Sequence, residues 1–323
     1  MPPETLCTIL DLHVHAKLTK SEPFKPKRLF SLVDRGRRLG LGGLALTEHF
    51  HARGFWEIQE ALHRYFPVKN GTFRDGEGFL ILAGGEVSLR EGSHLLVLIR
   101  VEALEELDAA FSRPLTSGYR PYFTELLAAA ESHQALVIGA HPFRPQQSLD
   151  WAPVSLLRQL DALEVNGRDG RRTCRLREEA RALGLPLVGG SDAHHPLQLG
   201  ARVTLLSGKA DGFEAVASAI RHGECGIAGR RWASWWVRLG VYYKRIVKFR
   251  RRLAERFSAL RQPPPGIPGE ALEGVREMVG CAAPGGGRHP DGHGVPGQRQ
   301  GKAGGRRPPL DLPDGHRPRG GPI

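Results

Sequence analysis

The stretch LDLHVHAKL, residues 10–18, reads as a short apolar strand that ends in two histidines. His13 and His15 are one residue apart, and Asp11 precedes His13 by two. A strand has a side-chain period of two, so all three are expected on one face. Buried polar groups need partners. The partners of this triplet must therefore come from elsewhere in the chain.

Seven further stretches resemble this one in being short, rich in Val, Ile and Leu, and nearly continuous in apolar residues. They are GLALTEH, FLILAGGEVS, HLLVLIR, ALVIGAHP, ALEVNG, PLVGGSD and ARVTLLSG. Such runs suit the strands of a parallel sheet covered on both faces. Helical patterns fall between many of them, at PKRLFSLVDRGRRLG, YFTELLAAAESHQ, RTCRLREEARALG and FEAVASAIRHG. Gly40, Gly184 and Gly223 stand where three of these helices should stop. Strand–helix alternation over residues 1–228 predicts an α/β barrel or a doubly wound sheet. The segment HARGFWEIQEALHRYFPVKNG is a longer insert. It is read as a surface helix with Phe55 and Trp56 packed beneath it, in preference to a lid.

The chain has 323 residues and a formal charge of +12. Residues 1–228 carry 27 Lys or Arg and 27 Asp or Glu, so the excess lies entirely in residues 229–323, with 19 and 7. The front of the chain is therefore not a nucleic-acid binder by composition. The four cysteines are far apart and form no CxxC pair, so neither a disulfide framework nor a cysteine zinc site is indicated. No leader-like segment and no apolar run of about 18–20 residues is present, so a cytoplasmic location is expected.

Residues 229–262 place Tyr242, Ile246, Phe249, Leu253, Phe257 and Leu260 at spacings of three and four, with Lys and Arg on the other faces. This predicts a basic amphipathic helix. Packing against the barrel is the preferred reading, and peripheral contact with a membrane or nucleic acid is the alternative. Residues 263–323 are rich in Gly and Pro, with no hydrophobic period, and are expected to be disordered.

Several histidines end the proposed strands. DLHVH contributes His13 and His15; LTEHFH contributes Glu48 and His49; GGEVS contributes Glu86; GSHLLVL contributes His94 at a strand start. GAHPFR contributes His141 and Arg144, and GGSDAHH contributes Asp192, His194 and His195. In an α/β barrel the carboxyl ends of all strands meet on one rim, where active sites form. Neutral imidazoles with a few carboxylates suit Zn, Mn or Fe and exclude a pure calcium site. A carboxylate shared between two ions accounts for the small number of acids. His51, His63, His133 and His222 are read as surface or capping residues.

In their order and spacing, DLHVH, TEH, GGEVS, SH, AHP and GGSDAHH resemble the motifs of the PHP family, the polymerase and histidinol phosphatase superfamily. The resemblance covers about residues 9–228. It implies a distorted (β/α)7 barrel, two or three divalent transition-metal ions (Mn, Zn or Fe), and hydrolysis of phosphate esters. It also implies a ligand set. His13 and His15 would hold one metal with Glu86 and Asp192. Glu86 would bridge to a second metal, held also by His94 and His141. His49 and His194 would serve a third.

Two positions depart from the family pattern. Glu48 stands where an aspartate is usual and is taken as its equivalent among the ligands. The loop position that often serves the third metal is occupied by Lys20 and Ser21, with Glu22 next in line as a ligand. Alternatively, Lys20 supplies positive charge to a substrate phosphate in the third metal's place. Arg144 and Arg168, at two strand ends, are candidates for phosphate binding or for a salt bridge with a nearby carboxylate.

The expected reaction is in-line attack on phosphorus by a hydroxide bridging the metals, with His194 or His195 protonating the leaving group and Arg144 assisting. The expected substrate is a small phosphomonoester or short nucleotide. A 3'-5' exonuclease-like or oligonucleotide-directed phosphodiesterase is the alternative within the class. A non-catalytic metal-binding regulatory module is the alternative outside it.

Overall fold

The computed structural model describes residues 7–168 and 173–229, with Leu239, Ile246, Phe249, Arg250 and Leu253 beyond them. The Gly/Pro-rich segment 263–323, and most of the segment read as a basic helix, lie outside the described residues. Among the described residues no helix is long and apolar enough to cross a membrane.

Eleven strands form one mixed sheet: β1 (Thr8–Val14), β2 (Gly43–Leu46), β3 (Val68–Lys69), β4 (Thr72–Arg74), β5 (Leu80–Ser88), β6 (His94–Ile99), β7 (Leu136–Gly139), β8 (Ala162–Asn166), β9 (Leu187–Gly190), β10 (Arg202–Leu206) and β11 (Cys225–Gly229). The order is β11-β10-β1-β2-β5-β6-β7-β8-β9, with β3 and β4 as a side hairpin on β5. The sheet curls until its far end meets β1. Val14 bridges Ala193 in parallel, and the His15 N–H donates to the Ala193 carbonyl at 2.8 Å. On the same side the Thr204 hydroxyl bonds both the N–H and the carbonyl of Gly189. The result is the nearly closed, distorted barrel that the motif order implied.

The ladders β1–β2, β2–β5, β7–β8 and β8–β9 are parallel. The β5–β6 and β6–β7 ladders are antiparallel, which the expectation of a parallel sheet missed. This reversal matters for the site. Because β6 runs against its neighbours, its first residue, His94, lies at the rim where β5 and β7 end.

A second difference concerns β1. Leu10 pairs with Gly43, Asp11 with Leu44, and Val14 with Leu46, so three residues of β1 oppose two of β2. One extra residue reverses the faces beyond it. Leu10 and Leu12 pack with Leu80, Leu82, Leu96 and Ile138, whereas Val14 packs with Leu44 and Leu46 in the other core cluster. Asp11 therefore does not share a face with His13 and His15, as the simple period of two had predicted. Its carboxylate instead accepts the backbone N–H groups of Ser191 (2.9 Å) and Gly200 (2.8 Å), tying β1 to the loop after β9.

Helices α1 (Lys27–Arg38), α2 (Phe55–Tyr65), α3 (Leu104–Ala109), α4 (Phe123–Ser132), α5 (Val154–Leu157), α6 (Thr173–Leu183) and α7 (Phe213–Arg221) complete the described fold. Helix α7 lays Phe213, Val216, Ala217 and Ile220 against the cluster holding Leu80 and Leu96. Each large side chain buried there contributes about 1.5–3 kcal/mol. Helix α1 ends at Gly40, in the left-handed region at φ 70°. The Leu41 N–H bonds the Gly36 carbonyl, and the Gly40 N–H bonds that of Arg37. This Schellman closure recurs at Gly184 and Gly223, so all three glycines act as the stops expected of them. In α2, Phe55 is buried and stacks on Phe50 at 4.7 Å, as the surface-helix reading required. His133 and His222 terminate α4 and α7.

Candidate metal centre

The strand ends place six imidazoles and two carboxylates in a nearly solvent-free cluster. His13, His15 and His141 are fully buried; Glu86, Asp192, His49, His94 and His194 are at most 7 % exposed. Glu86, near the end of β5, is the hub. Its Oε1 lies against His94 Nδ1 and 3.1 Å from His141 Nε2. Its Oε2 is 3.1 Å from His49 Nδ1 and 3.5 Å from both His13 Nε2 and His15 Nε2. One carboxylate thus meets five imidazoles from four parts of the chain.

Asp192 follows β9. Its Oδ1 lies 3.3 Å from His15 Nε2, 3.4 Å from His194 Nδ1 and 3.9 Å from His13 Nε2. Its Oδ2 faces Arg144 at 2.9 Å and Arg168 at 3.6 Å. Asp192 and His141 both have positive φ, at 53° and 34°. That conformation is uncommon outside glycine and concentrates at functional sites. Here it turns each side chain back over the barrel rim immediately after its strand.

The charge state of the cluster follows from burial and neighbours. Burial alone would raise the Glu86 carboxyl. The imidazoles of His49 and His94, with hydrogen bonds from His13 and His141, outweigh it and hold the carboxyl well below its usual range. Burial would likewise raise Asp192, but Arg168 and Arg144 keep it ionised. Burial pushes His49 well below the usual imidazole range, and burial with the nearby Arg144 brings His141 down to about 4. Those two rings are therefore neutral at pH 7, with lone pairs available.

These donors fit divalent transition ions. His13 Nε2 and His15 Nε2 approach to 3.2 Å, although both are strong acceptors when unprotonated. Donors about 2.0–2.2 Å from a shared ion at tetrahedral angles lie roughly 3.3–3.6 Å apart, close to the separations seen. His141 Nδ1 is buried without a hydrogen-bond partner, and His49 Nδ1, though 3.1 Å from Glu86 Oε2, is not aligned for a hydrogen bond to it. Among the described residues three groups bring ligand atoms within 4.8 Å of one another: His13, His15 and Glu86; His15, Asp192 and His194; His49, Glu86 and His94.

Other residues singled out in the sequence fall around this cluster. Glu48 lies behind it, with Oε1 3.4 Å from His15 Nδ1 and Oε2 accepting the Lys17 N–H. Glu22 is not drawn into the cluster; it accepts the Leu18 N–H and faces Arg28 at 3.9 Å. Lys20 donates to His51 Nε2 at 2.8 Å, and burial first, then Lys20, holds His51 at about 4. Beneath this loop the buried Lys17 ammonium donates to the carbonyls of Lys20 and Arg53, fixing the path of residues 17–20. His195 caps the short turn Pro196–Gln198 through its Nδ1 and is set apart from the three groups. Asn166 donates to Glu164 and accepts the Arg168 N–H, which closes the turn after β8.

Glu164 is the residue the sequence reading overlooked. Fully buried in β8, it faces His13 Nδ1 at 2.8 Å and accepts the His141 N–H at 2.7 Å. Burial opposes charge on both partners, but the Glu164 carboxylate keeps the proton on His13 Nδ1 and so turns Nε2 toward the cluster. A carboxylate behind a ligand histidine fixes its tautomer and its aim. Glu164→Gln should therefore weaken metal affinity about 10–100-fold while the fold survives. A metal-competition titration beside circular dichroism checks this; unchanged affinity would remove Glu164 from the role.

Three comparisons bear on this arrangement. The family model described as PHP-associated matches residues 174–225, the stretch that carries Asp192 and His194. PsfC from Pseudomonas syringae is 23% identical, with a TM-score of 0.63 over 75% of this chain and 99% of its own. A two-domain protein from Bacteroides vulgatus containing a predicted PHP-like metal-dependent phosphoesterase is 19% identical, with a TM-score of 0.50 over 70% of this chain and 65% of its own. This chain has the PHP fold. A further likeness is to the lesion-specific endonuclease Q from Pyrococcus furiosus, 22% identical, with a TM-score of 0.54 over 69% of this chain. The chain spans 58% of that endonuclease's length. No curated protein matches in sequence. At these identities the likeness is one of fold, so the chemistry has to be argued from the site.

Proposed function

We propose that this chain is a metal-dependent hydrolase of phosphate esters acting on a small phosphomonoester or a short nucleotide. The observation that carries the proposal is Glu86, a single ionised carboxylate shared by five buried imidazoles at the barrel rim. His13, His15, Glu86 and Asp192 would hold one ion, and Glu86 with His94 and His141 a second. His49 and His194 border both sets and suit a third. Bound there, divalent ions such as Mn, Zn or Fe would supply Lewis acidity and an activated water at neutral pH.

The chain's own residues would do the rest. Arg144 and Arg168 converge on Asp192 Oδ2 from the rim, where an incoming phosphate would compete for the same guanidinium groups. Lys20, held by His51, adds a cation on another side. His194, stacked on His15 at 4.0 Å, is better placed than His195 to give a proton to a leaving oxygen, because His195 is engaged as a cap. The balanced charge of residues 1–228 favours a small substrate over a long nucleic acid. Endonuclease Q, to which this chain is similar in fold, has been seen with a 27-mer duplex substrate, so oligonucleotide cleavage is the rival outcome.

The test is a comparison of the full chain on phosphomonoesters, dinucleotides and duplex oligonucleotides, run beside Arg168→Ala. The proposal expects monoester or short-nucleotide turnover, with KM raised about tenfold in the variant and kcat less affected. Turnover confined to long duplexes, or an unchanged KM, would overturn the substrate assignment.

A further inference from the structure

Leu239, Ile246, Phe249, Arg250 and Leu253 are helical, and the four apolar ones are 53, 54, 63 and 36 % exposed. In the sequence, Leu239, Ile246, Phe249 and Leu253 are spaced by seven, three and four, which matches one face of a helical period. At these described positions the apolar side chains are open to a partner.

The charge of the stretch indicates what covers it. The fifteen residues from Leu239 to Leu253 include six Lys or Arg and no Asp or Glu. A second copy of the same face would bring like charges together, which disfavours self-association. A nucleic acid would satisfy the cations but leave Ile246, Phe249 and Leu253 in water. An anionic bilayer surface satisfies both, with apolar side chains among the acyl chains and cations at the headgroups. Trp232, Trp235 and Trp236 just before the stretch, and Tyr242 and Tyr243 within it, are of the kind enriched at that interface.

We propose that the segment around Leu239–Leu253 is an in-plane anchor that docks this chain on anionic lipid surfaces. The inference is independent of the catalytic reading, because it uses none of the residues at the rim.

The experiment is vesicle co-sedimentation of the full chain with phosphatidylcholine alone and with phosphatidylcholine containing 30 % phosphatidylglycerol, that fraction being roughly the amount that gives a strong surface potential. The double variant Ile246→Asp, Phe249→Asp is run in parallel. The full chain is expected to bind the anionic vesicles and release them at high salt. The double variant should bind at least about tenfold more weakly, with its metal content and circular dichroism unchanged. No binding to anionic vesicles would overturn the anchor. So would equal binding by the double variant. Light scattering that shows a dimer lost in the variant, or tighter binding to an oligonucleotide that the variant also loses, would assign the stripe to those occupants instead.

Discussion

Glu86→Gln is expected to abolish most phosphoester turnover, on the order of 10³-fold, and to lower metal content by at least one ion per chain. The substitution keeps the size of the side chain and removes its charge. His13, His15, His49, His94 and His141 would then lose the anion they share. The imidazole lone pairs would remain, but the one negative charge able to serve two cations at once would be gone. Elemental analysis beside a phosphate-release assay reads both effects. Full metal content in the variant would show that Glu86 is not the hub.

Gly190→Ala should be nearly as damaging by a purely steric route. A Cβ at this position would lie 2.5 Å from Glu164 Oε1 and 2.5 Å from the His13 Cβ. Neither atom can retreat. Glu164 is held by His13, His141 and Asn166, and His13 sits on the bulged strand. Overpacking of this kind costs about 1–3 kcal/mol. The same displacement would swing His13 away from its aim, so metal affinity should fall together with the denaturation midpoint. A variant with wild-type stability and affinity would show that His13 and Glu164 tolerate movement.

Much of this was legible in the sequence, because polar residues that interrupt apolar runs are conspicuous. His13, His15, Glu86, His141 and Asp192 each stand at the end of a Val/Ile/Leu-rich stretch, and the structure gathers them at one rim. What escaped has physical causes. A bulge adds one residue without changing composition, so the turning of Asp11 to the other face had no signature. Strand direction leaves no periodic trace either; the only hint that β6 runs backwards was His94 at its start. Strands β3 and β4, two and three residues long, are too short to carry a period. Glu164 did leave a signal. An acid inside ALEVNG, two residues before Asn166, faces inward where the strand is otherwise apolar. The doublets Gly84–Gly85 and Gly189–Gly190 carry a constraint seen only in the fold: a side chain at any of them would strike a neighbouring strand or a site residue.

The rim cluster is tested most directly as a metal centre for phosphate-ester hydrolysis by phosphate release from a panel of phosphomonoesters, using the full chain stripped with a chelator and then reloaded with Mn, Zn or Fe. Activity should vanish on stripping and return with at least one of the three ions. It should stay absent in Asp192→Ala, which loses the carboxylate that faces His15, His194 and the two arginines. Phosphate release that survives stripping, or that persists in Asp192→Ala, would contradict the account, as would a metal-loaded chain inert on every ester.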